Sequence, residues 1–389
     1  MTVAASLSGV RVLDMTHVLA GPYCAYQLAL LGADVVKIEA PDDPDTARGR
    51  GSDPELAARG LGVNYQTQGG GKRALALNLK APEGRAVLKA LAARADVLVE
   101  NYRPGAMAAL GLDLDVLRAA NPRLICCSIS GFGQDGERPR AYDNTIQAAS
   151  GIMARTGGVY APIKTGASMV DYATGMAAAF AVVTALYERE RTGRGRHIDC
   201  AMFDVAMTFL APEAASALHQ GPASSPVREA GLGCYSTRDG DLMLGAFNPR
   251  QNRRLWTWLG DETFAAIEDW PGLWAAAPAM RERLQTILLE RTAAEWEEAL
   301  SEIGVPAARV ATLDEAVRTP SARRLFQPLP AEPGLTPVHA PGLPFRFDDA
   351  PERTVRAAPR VGEHTDAVLR DYGFDDAAIA RLREDGAVS

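Results

Sequence analysis

No two cysteines or histidines in this chain have the spacing of a metal or redox site. The five cysteines, Cys24, Cys126, Cys127, Cys200 and Cys234, form no CxxC pair and fall in apolar segments, so buried, reduced thiols are expected. The five histidines give neither HExxH nor a paired metal spacing, and no metal site is expected. Positive charge is not in excess. Lys and Arg number 41 against 48 Asp and Glu, a net charge of −7, which argues against nucleic acid or an anionic membrane as the main partner. No charged and then apolar leader pattern precedes Val10, and the apolar runs are broken by Gly, Asp or Arg before they reach spanning length. A cytoplasmic protein is the expectation. GxSxG and GxxxxGK[ST] are absent, and the first βα turn reads THVLAGP rather than GxGxxG, which removes the main support for a nicotinamide enzyme.

What the chain does have is ordinary globular composition, 47% hydrophobic and 23% charged, over a length that favours two domains. It is organised around Lys164–Leu186, where a glycine-bearing loop delivers Asp171 to the mouth of a long apolar helix. The charged run Glu188–Arg191 returns that helix to solvent, and Gly193 can end it in the left-handed conformation. Gly175 inside the helix predicts the close approach of another backbone or of a ligand. Asp171 has two readings from these residues. It caps the helix, or it is a carboxylate nucleophile whose ionised form the helix end supports.

The order of elements predicts an α/β fold. VRVLD at Val10–Asp14 is a buried strand, Pro22 suits the first position of a helix running to about Leu31, and DVVKIE at Asp34–Glu39 is a second strand, forming a βαβ unit with parallel strands. Residues 40–70 read as a long irregular loop. Further strands are expected at Lys72–Leu79, Asp96–Glu100, Arg123–Ser130 and His197–Cys200, with helices at Glu83–Ala95, Asp113–Asn121 and near Phe203–Leu218. Residues 131–140 are a polar loop, and Asp143 is placed as the cap of a helix through Ser150. A Pro/Ser/Gly-rich linker at 220–230 separates residues 1–219 from a smaller α+β domain, 231–320, that opens with a hairpin turning at Asp239-Gly240. Helices follow at about 250–259, 279–290 and 293–303. An extended return, 321–355, leads to 356–389, which holds two short helices.

In open α/β sheets ligands bind outside the carboxyl ends of the strands. Three turns expected there carry groups suited to a phosphorylated ligand: His17–Ala20, Lys72 and Arg73 with Lys80, and Asn101–Arg103. Arg140 lies on a fourth. Solvated surface charge is the alternative reading of Lys72, Lys80 and Arg103.

Taken in order, LDMTHVLAGPY, LGADVVKIEAP, GKRALALNLKAPEGRAVL, ADVLVENYRPGAMAALGL, NPRLICCSISGFGQDG, YDNTIQAASG, TGASMVDYATGM, ERTGRGRHIDCAMFDV and VGEHTDAVL make the chain resemble the class III CoA-transferases of the CaiB/BaiF type over nearly its whole length. The resemblance implies a Rossmann-like large domain built from both chain ends, a small domain, and a homodimer whose chains interlock as rings. It places the nucleophile at Asp171 and CoA contacts at Leu19, Ala20, Leu77, Lys80, Asn101, Tyr102, Arg103, Arg140 and Tyr142. It also implies an acyl-CoA donor, with succinyl-CoA the family's frequent choice, and a carboxylic acid acceptor, with no tightly held cofactor. A glycine loop closes over the aspartate in relatives. Gly231-Leu232-Gly233 is the nearest match here, and a simple turn into a strand is its other reading.

Three departures from the family pattern follow. Racemases of the same superfamily move an α-proton with a histidine and a glutamate, at whose positions this chain has Tyr142 and Asn248, neither a ready base near neutral pH. Formyl-CoA transferases have a glutamine where this chain has Leu19, and arginines where it has Ala40 and Ala109. Arg48, Arg50 or Arg103 is then expected to hold the nucleotide phosphates.

Overall fold

The computed structural model describes residues 5–135, 140–157, 161–221, 229–348 and 355–389. Most of the expected linker 220–230, and parts of the loop 131–140 and of the return 321–355, lie outside the described residues. The chain divides into two compact units, one made of Met1–Ala214 with Arg324–Ser389 and the other of Ala215–Arg323.

The first unit is mixed α/β. Six strands, β1 (Arg11–Met15), β2 (Asp34–Glu39), β3 (Arg73–Ala76), β4 (Val97–Glu100), β5 (Ile125–Ser130) and β6 (His197–Ala201), form one parallel sheet in the order β3-β2-β1-β4-β5-β6. Their side chains alternate between two buried faces. On one face Val12, Val35, Val97, Ile125 and Cys127 pack under α1 (Ala20–Leu30). The other face places Leu13, Val36, Leu75, Leu98 and Cys126 against helix Pro82–Ala92 and against the C-terminal helices Thr365–Asp371 and Asp376–Glu384. The direction of travel along the sheet reverses between β1 and β4. The turns after these two strands therefore flank a crevice.

The longest helix, α2 (Met169–Thr192), shares the first face with α1 and ends at Gly193, whose φ of 70° is left-handed as expected. A Cβ on Gly175 would stand 2.6 Å from the carbonyl oxygen of Ala20 and 3.1 Å from Cys24 N, so the close backbone is that of α1. By length and composition α2 could cross a membrane, contrary to the reading that every apolar run is too short. Here Val170, Ala178, Val182 and Ala185 are buried.

Several boundaries differ from expectation. α1 begins at Ala20, two residues before Pro22, because any of the first turn's N–H groups lacks an intrahelical acceptor and proline is tolerated there. Residues 40–70 are not irregular. They wind through Thr46–Gly49, Pro54–Ala58 and Val63–Gly69 around a buried guanidinium, that of Arg48. Arg48 donates through Nε to Glu39 Oε1 at 2.8 Å and through Nη2 to Tyr65 Oη at 2.8 Å, and it stacks 3.8 Å from the Tyr65 ring. Arg48 is thus a structural cation and not a phosphate ligand.

The second unit holds an antiparallel sheet of β7 (Leu232–Ser236), β8 (Asp241–Gly245) and β9 (Ala307–Arg309), with the hairpin turning at Asp239-Gly240. Its core gathers Leu242, Leu244, Leu255, Trp256, Leu284, Trp296 and Leu300. The helix expected at 279–290 starts instead at Trp270, capped by Asp269, and carries Pro278 in its interior. Of the five cysteines only Cys234 departs from burial.

Candidate active site

A cavity of about 620 Å³ opens at the carboxyl ends of β1, β4 and β5. Its walls are the turn His17–Ala20, the turn Asn101–Pro104, residues 129–133, Arg140–Tyr142, Met202 and Asp171. Eight of the expected site residues meet there: Leu19, Ala20, Asn101, Tyr102, Arg103, Arg140, Tyr142 and Asp171. Leu77 and Lys80 are not among the lining residues. Leu77 is buried and pairs across an isolated bridge with Val388, while Lys80 is exposed beyond β3 and faces Asp42 at 3.3 Å. Lys72 and Arg73 are also spoken for: the Lys72 ammonium is buried 2.8 Å from Asp14, and Arg73 bridges Asp34 and Asp371.

The two turns at the crevice hold each other. Asn101 Nδ2 donates to His17 O at 2.8 Å, and His17 N donates to Asn101 Oδ1 at 2.9 Å. The His17 ring meets the Tyr102 ring edge-on at 5.8 Å. Burial first, and then the Lys37 charge, push the His17 imidazole below its ordinary pKa, which favours the neutral ring. Beyond β5, Ser130 Oγ accepts from Gly133 N at 2.9 Å and folds residues 131–133 over the strand end. A Cβ on Gly131 would lie 2.3 Å from that of Ala141, so the two loops touch. Residues 129–133 and Met202 were missed as lining residues. The glycine directly after β5, in SISGFG, was the available signal.

Asp171 does not cap its helix. It is the third residue of α2, whose N-cap is Ser168 with no side-chain hydrogen bond. Capping comes from Asp143, 28 positions earlier, whose Oδ2 accepts from Val170 N at 2.8 Å and from Asp171 N at 3.2 Å. Asp143, expected to cap its own helix, is instead the first residue of helix Asp143–Ala149 and turns its carboxylate to α2. Buried Gln147 donates to Asp143 Oδ1, and its own Oε1 accepts from Thr165 N at 3.0 Å, tying the glycine-bearing loop to the same carboxylate. The result is a carboxyl with no cation in contact among the described residues. Burial, and then the negative Asp143, push the Asp171 pKa up to about 7. A carboxylate so raised is more basic and more nucleophilic than an ordinary one.

Arg103 and Arg140 are the cavity's cations, both exposed, and neither forms an ion pair among the described residues. The wall is otherwise mixed, with Ile129, Phe132 and Met202 beside Ser130 and Tyr142. That combination suits a long ligand with an anionic part and an apolar arm. Asn248 lies in the second unit. It caps helix Pro249–Trp258 by accepting from Gln251 N at 3.0 Å. Gly231 opens the hairpin there, its carbonyl accepting from Ala246 N at 2.8 Å, in keeping with the turn-into-strand reading.

Comparison with known proteins bears on this site. Residues 7–365 match the family described as CoA-transferase family III. The chain is 35% identical to the succinate–glutarate CoA-transferase of Agrobacterium fabrum, over 94% of this chain and 95% of that protein. It is 34% identical to the acetyl-CoA:oxalate CoA-transferase of Acetobacter aceti, over 95% and 96% of the two chains. Among solved structures, a CaiB/BaiF family protein from Brucella suis superposes with a TM-score of 0.80 at 32% identity, covering 95% of this chain and 99% of that one. A parallel sheet of matching architecture and sequence likeness along almost its full length make this chain a member of CoA-transferase family III, and an enzyme of that class.

Proposed function

We propose that the enzyme moves CoA between an acyl-CoA donor and a small organic acid through covalent intermediates on Asp171. The observation that carries this reading is the Asp171 carboxyl itself, raised to a pKa of about 7 and opening on a cavity that also holds Arg103 and Arg140. In the first step an Asp171 oxygen attacks the donor thioester carbonyl. The C–S bond breaks, leaving an acyl-aspartyl anhydride and a CoA thiolate. That thiolate attacks the Asp171 carbonyl carbon, expels the donor acid and forms an aspartyl-CoA thioester. The acceptor carboxylate then attacks the same carbon and displaces thiolate, giving a second anhydride. Attack of the thiolate on the acceptor's carbonyl releases the new acyl-CoA and regenerates the Asp171 carboxylate. Each addition builds negative charge on oxygen, which fixed donors must meet in a site kept from water.

The pantetheine arm of CoA runs along the carboxyl edge of the sheet past Ala20 and Asn101, with Arg103 and Arg140 on the phosphates. Its far end extends toward Lys80, which stands exposed beyond β3. Succinyl-CoA as donor fits the name of the Agrobacterium relative. Two chains would act together as an interlocked homodimer. Support comes from α2, where Tyr172, Met176, Phe180 and Tyr187 form an exposed apolar stripe at helical spacing, with Phe180 75% exposed. Racemisation is not favoured, because Asn248 is occupied as a helix cap and neither it nor Tyr142 is a ready base.

The test is a donor–acceptor screen by mass spectrometry on purified protein, with hydroxylamine added during turnover. Modification confined to Asp171, and absent from Asp171→Ala, is expected. Normal turnover by Asp171→Ala would refute the mechanism.

A further inference from the structure

Thr16–Leu19 joins β1 to α1, and side chains grip every backbone polar group of Thr16, His17 and Val18. Asp14 accepts from Thr16 N at 3.0 Å, Lys37 donates to Thr16 O, and Asn101 takes both sides of His17. Asp45 Oδ1 accepts from Val18 N at 3.0 Å, and Gln68 Nε2 donates to Val18 O. Lys37, Asp45 and Gln68 are all buried. Held this way, Val18 has a φ of 73°, the one positive value at a non-glycine position among the described residues. A β-branched residue avoids that conformation. Packing does not explain it either, since the Val18 side chain is itself exposed in the cavity.

Leu19 and Ala20, the next two residues, line the cavity with Asp171, and their N–H groups have no acceptor among the described residues. The carbonyl of Ala20 is the atom that Gly175 of α2 approaches, which places this turn against the helix of the nucleophile. We propose that Gln68 and Asp45 are positioning residues: by gripping the two sides of Val18 they hold it left-handed, and so fix the amides of Leu19 and Ala20 as oxyanion donors for chemistry at Asp171. This rests on the aspartyl mechanism given above. Gln68 is the clean handle on it, because its Oε1 is buried without a partner and the bond to Val18 is the one hydrogen bond its side chain makes among the described residues.

Gln68→Met removes the donor at similar volume. Its kcat should fall by about 10- to 100-fold, up to the size of effect that misplacement by about 1 Å can have, with the KM for acyl-CoA changed much less. Single-turnover formation of the Asp171 adduct, followed by mass spectrometry, should slow by the same factor. Adding Val18→Gly should restore most of the loss, because glycine takes a positive φ without being held there. A purely structural role for Gln68 would show no such rescue. Should Gln68→Met not fold, Gln68→Asn, one methylene too short to reach, serves the same comparison. Unchanged adduct formation in the folded variant, or failure of Val18→Gly to rescue it, would overturn the proposal. Absence of any adduct on Asp171 in the wild type would instead remove the aspartyl mechanism, and this inference with it.

Discussion

Two groups of buried or half-buried carboxylates in the first unit are handled in opposite ways. Beneath the turn after β1, Asp14, Glu39 and Asp45 are matched by Lys72, Arg48 and Lys37. Burial alone would raise the Asp14 and Glu39 carboxyls, but the neighbouring cations hold both below the usual range. At the start of α2 the Asp171 carboxyl has burial and Asp143 beside it, and its pKa goes the other way. The first arrangement fixes a conformation. The second leaves a carboxylate whose ionised form is disfavoured in the fold. Like charges stand together at Asp171, while each carboxylate beneath the turn after β1 has a cation of its own.

The sharpest way to break this contrast is to remove one charge from each side. Asp171→Asn should lower turnover by at least about a thousandfold, as expected for loss of a covalent nucleophile. The same change should raise the melting temperature at pH 8. A carboxyl whose folded pKa lies above its unfolded value is ionised at a cost when the pH exceeds both. The gain should therefore be full above about pH 7 and shrink as the pH falls toward the unfolded value of 3.8. Lys72→Met should do the reverse to stability, costing about 3–5 kcal/mol in denaturant unfolding by removing the ion-pair partner of the buried Asp14. Gain of stability in Lys72→Met, or loss in Asp171→Asn at pH 8, would erase the distinction.

Smaller effects sharpen it. Arg103→Ala should raise the KM for acyl-CoA by about tenfold or more, the worth of one charge-assisted hydrogen bond to phosphate, with kcat little changed. Asp143→Asn keeps an acceptor for Val170 N but removes the repulsion. The pH–rate midpoint of adduct formation should lie near 7 in the wild type and move to lower pH in this variant, and a midpoint that stays in place would show burial acting alone. Lys80→Ala should change the KM least, by about threefold or less, since its ammonium is exposed and already faces Asp42.

Much of this was legible in the sequence because it depends on local pattern. Apolar runs bounded by turn residues placed the six parallel strands, and of the three strand-end turns two, His17–Ala20 and Asn101–Arg103, line the cavity. What escaped were pairings between distant side chains. Arg48 reads as a phosphate ligand until Glu39 and Tyr65 are seen around it, and residues 40–70 read as loop because the guanidinium that organises them has no periodicity. Lys72 was misread for the same reason. Asp143 carries a helix-cap signal, and it is indeed a cap, but of the helix that begins 26 positions downstream at Met169. The helix from Trp270 was shortened because an interior proline argues for a break that tertiary packing of Leu273, Met280 and Leu284 overrides.

Gly175 has a consequence for anyone engineering this enzyme. A helix-propensity scan would nominate Gly175→Ala as a stabilising substitution worth about 1 kcal/mol, since it lies inside a 24-residue helix. The added methyl would land 2.6 Å from the Ala20 carbonyl oxygen, against backbone that cannot swing aside as a flexible side chain would. Relief would require α1 and α2 to separate. The change would thus act as a wedge, trading a more helical α2 for a displaced Ala20, and a library screened on thermal stability alone would misjudge it.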